Sequence, residues 1–209
     1  MFYGEKNTKK PFIAIEGPIG VGKSSLAHKL SQSYHFYEAK EIVGENPYLS
    51  DFYTDISKWS FQTEMFFLCH RYKAYQYLAE YDGGIVSDYH IYKNKIFARN
   101  TLNDKEYDKF SRIYDILTED LISPDFTVIL DADLSILKAR IAKRDRDFEA
   151  NIQDDYLLKL KEDYANYYQS LKNDGHHVLW IDTTKIDFVE NPDDYAYVLE
   201  QINELIGGK

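Results

Sequence analysis

The sequence predicts an α/β fold, with a five-stranded parallel sheet flanked by helices on both faces. Three observations lead there. Short apolar runs rich in Ile and Val recur along the chain, each the length of a buried strand. Longer segments with apolar residues at helical spacing separate them. The two kinds alternate from end to end, the pattern of a parallel sheet built from crossover units.

The elements follow in order. Phe12 to Glu16 is an apolar run that stops at a glycine turn, a first buried strand. Residues 23–34 form a helix, with Leu26, Ala27 and Leu30 on one face. Residues 37–43 form a second strand with Glu41 near its end. Asn46-Pro47 marks a turn and a helix start. Residues 56–81 carry a long helical pattern closed by Gly83-Gly84. Residues 85–88 are a third strand, 93–101 and 104–122 are helices, and Pro124 ends the second of these. A fourth strand covers 126–130, a helix 134–145, another helix 153–173, a fifth strand 177–181 and a last helix 193–206. Disorder is expected only at residues 1–10 and 207–209.

The chain has 209 residues and no linker or repeat, so a single domain spanning 1–209 is expected. The net charge of -10 argues against long nucleic acid as a partner, because duplex binders present a basic face. It does not exclude nucleotides, since a local nest of amides and a few cations can hold phosphates. The polar start has no signal-peptide core, and no run approaches the roughly 20 apolar residues that span a bilayer. A cytoplasmic protein without membrane contact is the expectation. The single cysteine, Cys69, rules out an internal disulfide, and Cys69 and His70 read as helix packing. The 19 tyrosines and 12 phenylalanines read mainly as an aromatic core.

Ligands gather at the carboxyl ends of strands in such sheets. There the sequence places Gly17-Pro-Ile-Gly20-Val-Gly22-Lys23-Ser24-Ser25, a G-x-x-x-x-G-K-S phosphate loop between strand one and helix one. The glycines let backbone N–H groups converge on phosphate oxygens, and the helix N-terminus adds positive charge. Lys23 is assigned to the β- and γ-phosphates and Ser24 to magnesium, so ATP and Mg2+ are the expected cofactors. The N-K-x-D signature of guanine-specific GTPases is missing, as Asn94-Lys95-Ile96-Phe97 lacks the aspartate. The size and the loop together favour a small-molecule kinase.

Further segments resemble the deoxynucleoside kinase family, with the bacterial deoxyguanosine kinases the nearest branch. They are Glu41-Ile-Val, Asn46-Pro-Tyr-Leu49, Trp59-Ser-Phe61 with Arg71 downstream, Asp88-Tyr-His-Ile-Tyr92, and Arg140, Arg144 and Arg146 before Glu149. The resemblance implies phosphorylation of a deoxynucleoside 5′-hydroxyl in nucleotide salvage, with deoxyguanosine first and deoxyadenosine or a broader range as the alternative. A non-catalytic nucleotide-binding subunit is the alternative outside enzymes. It implies Glu41 as the catalytic base, with Glu38 and Glu45 in reserve, and Asp88 as an acid on magnesium. It also implies an arginine-rich lid at about 144–152, in which Arg140, Arg144 and Arg146 close on the ATP phosphates. Tyr53 and Glu149 are assigned to the sugar 3′-hydroxyl, and Asn94 to a second base contact. Trp59 and Phe97 are candidate pocket walls. The family usually has arginine after the acid of strand three, and this chain has Tyr89. Lys93 or a lid arginine is then left to supply that charge. Asp145 stands where relatives often have a lid glycine.

Glu64 and Arg71 share one face of the long helix. Glu64 stands where many relatives have a base-reading glutamine. Guanine presents two donors side by side, which a carboxylate accepts; adenine needs one donor and one acceptor, which glutamine supplies. Arg71 is expected to donate to guanine O6 or N7. Dimerisation through the aromatic helix 56–81 or its neighbour is expected, with an identical chain or a sister kinase.

Overall fold

The computed structural model describes residues 10–146, 149 and 152–208. Its strands are β1 (Phe12–Glu16), β2 (Tyr37–Ala39), β3 (Ile85–Ser87), β4 (Phe126–Asp131) and β5 (Val178–Asp182). Its helices are α1 (Lys23–Tyr34), α2 (Leu49–Thr54), α3 (Ile56–Ala79), α4 (Lys93–Thr101), α5 (Asp104–Thr118), α6 (Leu134–Arg144), α7 (Asp154–Asn173) and α8 (Pro192–Gly207).

All strand pairs are parallel, in the order β2-β3-β1-β4-β5. After β1 the chain leaves a gap and forms β2, β3 then fills that gap, and β4 and β5 extend the sheet on the other side of β1. Strand order therefore reverses beside β1, and the crevice at that reversal is where an α/β sheet holds its ligand. The phosphate loop, Glu41 and Asp88 follow β1, β2 and β3 into that crevice.

Every residue of β1 is buried, as expected of a strand covered on both faces. Ile13 and Ile15 pack with Leu26, Leu30, Leu137 and Val198, so α1, α6 and α8 cover one face. Phe12 and Ile85 pack with Leu68, Tyr75 and Phe110, so α3 and α5 cover the other. Ile96, Ile129 and Leu160 join α4 and α7 to that side. Tyr75, Tyr89 and Tyr164 are fully buried, so the aromatic composition does supply core.

Capping residues fix several helix starts. The Asp55 side chain accepts from Lys58 N at the head of α3, and the Asn103 side chain accepts from Glu106 N at the head of α5. Pro192 opens α8 behind the Asn191 cap. Asp145 ends α6 with φ 51, a left-handed position that aspartate tolerates and glycine fills elsewhere.

Some boundaries move. The second strand stops at Ala39, so Glu41 stands beyond it on loop backbone. Helix α5 ends at Thr118, before the expected 122. Gly207 belongs to α8 and is not a loose end. Expected disorder at residues 1–9 and 209 lies outside the described residues, as do 147, 148, 150 and 151 of the expected lid.

Candidate active site

A cleft of about 810 Å³ opens at the carboxyl ends of β1, β2 and β3. Lys23, Ser24, Ser25, Glu41, Tyr53, Glu64, Arg71, Asp88, Arg140, Arg144, Arg146 and Glu149 all line it. Residues read from separate sequence segments thus converge on one space.

The phosphate loop forms its floor. Gly17, Gly20 and Gly22 have φ of 139, 84 and 105, which L side chains rarely adopt. A Cβ on Gly17 would lie 2.3 Å from Leu130 O, so the loop packs directly on β4. Gly22 opens α1 and faces the Phe188 ring, with which a Cβ would collide at 2.9 Å. Lys23 Nζ donates to Gly17 O and Pro18 O, both at 2.8 Å, which curls the side chain over its own loop. Burial, then the neighbouring Lys93, pulls the Lys23 ammonium down to about 7, and Glu16 and Glu41 oppose that fall.

Ser24 Oγ donates to Asp88 Oδ2 at 2.5 Å. Among the described residues no group of three or more His, Cys, Asp or Glu side chains could hold a metal ion. A hydroxyl and a carboxylate side by side do fit Mg2+, which is typically held by one or two protein oxygens together with phosphates. Asp88 Oδ1 accepts from the Glu41 backbone N at 2.7 Å, so the same carboxylate also fixes the loop that carries Glu41.

Glu41 lies between two cations. Its Oε2 accepts from Lys93 Nζ at 2.6 Å, and its Oε1 accepts from Arg71 Nε at 3.0 Å and from Arg71 Nη2. Burial alone would raise its pKa, but Lys93 and Arg71 outweigh it and hold the carboxyl well below the usual range. Glu41 is therefore ionised at neutral pH. Glu38 pairs with His28 and Lys40, and Glu45 is exposed; neither is among the residues lining the cleft.

The arrangement corrects several expectations. Arg71 is turned toward Glu41 by two of its nitrogens, so it is first a partner of the carboxylate; only Nη1 is left over. Of the two sources proposed for the charge that Tyr89 lacks, Lys93 is the one that meets Glu41. Tyr89 is buried against Tyr75, and the Arg71 guanidinium sits 5.9 Å from its ring. His90 supplies no charge, because burial lowers its pKa to about 4. Its backbone N donates to Glu16 Oε1, and Tyr164 OH donates to Glu16 Oε2 at 2.7 Å. Glu16 is a buried carboxyl under the loop that the sequence reading passed over.

Arg140 does not extend toward phosphate as a fork. Its Nη1 donates to Val21 O and Thr183 Oγ1, and its Nη2 to Thr183 O and Ile186 O, at 2.9–3.3 Å. The four terminal N–H groups are spent tying α6 to the phosphate loop and to the segment after β5. Arg144 grips Glu149 through Nε at 3.1 Å and Nη2 at 2.5 Å, and Arg146 Nη1 lies 3.5 Å from the same carboxylate. Glu149 is thus shared between two arginines beside Tyr53, whose hydroxyl is kept protonated by burial and then by the Glu149 charge.

At the far end Glu64 and Arg71 are both buried on α3, as their spacing predicts. Burial raises the Glu64 carboxyl to about 7, against the pull of Arg71 and Lys93. Glu64 Oε2, Arg71 Nη1, Thr63 Oγ1 and Tyr156 OH are buried atoms without a hydrogen-bond partner. Buried polar groups almost always have partners, so such a cluster beside a cleft marks where a ligand's polar edge belongs. Asn94 lies behind Glu64 and not on the cleft: its Nδ2 donates to Glu64 O at 3.4 Å. Phe97 is a wall residue, whereas Trp59 stacks on Tyr48 at 6.0 Å outside the cleft. His70 stacks on Phe66 at 4.1 Å as helix packing, but Cys69 is exposed.

Comparison with known proteins places this geometry. The deoxynucleoside kinase family profile matches residues 13–207. The deoxyguanosine kinase of Bacillus subtilis is 45% identical over 202 residues, 94% of this chain and 98% of that protein. The chain belongs to the deoxynucleoside kinase family. It is an enzyme that phosphorylates deoxynucleosides, and ATP is the phosphoryl source the family uses. The deoxyadenosine/deoxycytidine kinase of the same organism is 29% identical over 206 residues, 95% of this chain and 94% of its own. The structure of deoxyadenosine kinase from M. mycoides, with products dCMP and a flexible dCDP bound, matches at a TM-score of 0.81 and 25% identity. That match covers 92% of this chain and 99% of the other. Among the described residues no helix of the kinase is long and apolar enough to cross a membrane.

The residues that sequence reasoning missed are Thr63, Tyr156, Phe188 and Glu16. Tyr156 carried no signal because it is one tyrosine among many on a helix far along the chain. Glu16 had one: a carboxylate inside an otherwise apolar strand needs buried partners.

Proposed function

We propose that the kinase transfers the γ-phosphoryl group of ATP to the 5′-hydroxyl of deoxyguanosine, giving dGMP and ADP. The observation that carries the choice of base is Glu64: a buried carboxylate with Oε2 unpartnered, beside an unpartnered Arg71 Nη1. Ionised, it accepts from guanine N1–H and the N2 amino group together, an arrangement adenine cannot return. The similarity to a deoxyguanosine kinase agrees with that reading.

In this reading the loop amides and Lys23 hold the β- and γ-phosphates, and Ser24 and Asp88 hold Mg2+, which would neutralise phosphate charge. Glu41 faces the acceptor hydroxyl and takes its proton as the bond to phosphorus forms. Because its pKa is held low, Glu41 is a weak base, and its main contribution is to orient the hydroxyl. Tyr53 closes the sugar end and crowds a 2′-hydroxyl. Arg144 and Arg146 reach phosphate only by releasing Glu149, which then turns to the 3′-hydroxyl with Tyr53. The enzyme works in the cytoplasm as a salvage kinase, on single nucleosides and not on long nucleic acid. It pairs through α3, where Tyr77 is exposed, with exposed Tyr81 just beyond the end of the helix.

A second reading is favoured by one observation. With Glu64 near 7, its neutral form is populated around neutrality, and a carboxylic acid offers the donor and acceptor that adenine needs. Deoxyadenosine is therefore the expected second substrate, used best at low pH. A phosphorylation panel of the four deoxynucleosides and guanosine tests the assignment, with Lys23→Ala as the inactive control. Deoxyguanosine should lead and guanosine should trail. A pyrimidine in first place would refute the reading of the base.

A further inference from the structure

Lys93 sits where a lysine is least expected. It is the first residue of α4, at the positive end of the helix dipole, and no acidic residue shares its first turn. It is also 7% exposed, although lysine is almost never buried without a partner. Its compensation comes from Glu41, on a different element. Glu41 does not need it, because Arg71 already supplies two donors to Oε1. Glu41 alone cannot balance both cations, and the other carboxyls that feel Lys93, Glu16 and Glu64, are both pushed by burial toward their neutral forms.

The position of this lysine is informative. Lys93 is the first charged neighbour acting on Lys23, and it also acts on Glu16 under the phosphate loop. Its ammonium thus touches the carboxylate of the acceptor side and lies in electrostatic reach of the lysine of the phosphate side, and all three line the same cleft. The Phe97 ring, one turn along α4 with its centroid 5.3 Å from Nζ, walls the ammonium in. A buried cation at that junction, with its nearest further carboxyls weakened by burial, matches a phosphoryl group, whose charge is spread over its outer oxygens in flight.

We propose that Lys93 is a catalytic cation of this kinase, holding Glu41 on the acceptor hydroxyl and sharing with Lys23 the charge of the phosphoryl group during transfer. The inference rests on the placement of the acceptor hydroxyl at Glu41 given above. As the 5′-oxygen binds phosphorus, the bond from the γ-phosphorus to the β,γ-bridging oxygen breaks and ADP leaves with that electron pair. The hydroxyl proton passes to Glu41, and Lys93 keeps its protons throughout.

The test is steady-state kinetics on Lys93→Ala, Lys93→Arg, Glu41→Gln and the double variant Glu41→Gln/Lys93→Ala, with ATP affinity and melting temperature measured alongside. Lys93→Ala should lower kcat about 100- to 1000-fold while the KM for deoxyguanosine changes less than about threefold. Ethylammonium should restore kcat of Lys93→Ala at least about tenfold with saturation, a response that a merely structural lysine would not give. Lys93→Arg should keep more activity than Lys93→Ala, and the double variant should fall little below the weaker single one. If Lys93→Ala does not fold, Lys93→Met carries the same comparison. A kcat within about fivefold of the parent, a loss confined to KM, or a lack of response to the amine overturns the proposal. If Glu41→Gln is inactive while Lys93→Ala is normal, only Lys93 loses its role. If Glu41→Gln is itself normal, the acceptor placement falls with it.

Discussion

The two ends of the cleft are built on opposite plans. At the transfer end every functional group has a protein partner: Glu41 with Arg71 and Lys93, Asp88 with Ser24, Lys23 with its own loop carbonyls. At the base end Glu64 Oε2, Thr63 Oγ1, Tyr156 OH and Arg71 Nη1 have none. The difference teaches a division of labour. Phosphoryl transfer depends on charges held rigidly before reaction, so that end is cross-braced. Recognition depends on hydrogen bonds that the right ligand completes and the wrong one leaves unmade. Arg71 belongs to both ends, through Nε and Nη2 on one side and Nη1 on the other.

The largest effect should come from cutting the braced end. Glu41→Gln should lower kcat by roughly 100- to 10,000-fold with nucleoside binding little changed, read from steady-state kinetics. A loss confined to KM would mean that Glu41 binds and does not orient. Arg71→Lys sharpens the comparison, because it keeps the charge and loses the fork. Both kcat and the preference for guanine over adenine should fall, each by about tenfold. A change in only one would assign Arg71 to one end.

The base end should respond to pH. Folding raises the Glu64 carboxyl from 4.5 to about 7, so the folded protein binds the proton more tightly than the unfolded chain does. The stability this contributes is complete below pH 4.5 and is lost as pH rises through about 7. Glu64→Gln, which never ionises, should therefore melt higher than the parent at pH 8 and about equally at pH 5, a gap of up to about 3 kcal/mol. A constant difference across that range would contradict the raised value. The smallest effect is expected from Tyr156→Phe, which removes one unpartnered hydroxyl. A rise in nucleoside KM of about three- to tenfold with kcat unchanged would join Tyr156 to the base end.

Much of this was legible in the residues. The strand and helix pattern is set by burial, and burial leaves a period in the sequence, so all five strands were found in place. The phosphate loop was legible because its glycines answer a backbone demand that few other residues meet. Helix α2 was read only as a turn and a helix start, since six residues are too few to show a period. The site was legible as a set but not as a wiring diagram. Spacing put Arg71 on the face of Glu64, yet it could not show that Glu41 would take the guanidinium. Arg140 read as a lid arginine because composition cannot distinguish a fork aimed at phosphate from one tied to backbone carbonyls. Lys93 was one of two candidates for a missing charge, and only the meeting of β2's exit loop with the head of α4 selects it.

The most direct test of the guanine assignment is the ratio of kcat/KM for deoxyguanosine over deoxyadenosine at pH 8, in the parent and in Glu64→Gln. A carboxylate reading guanine predicts a ratio well above one that falls by about 100-fold, or inverts, in the variant. A ratio that stays the same when the carboxylate becomes an amide would contradict it.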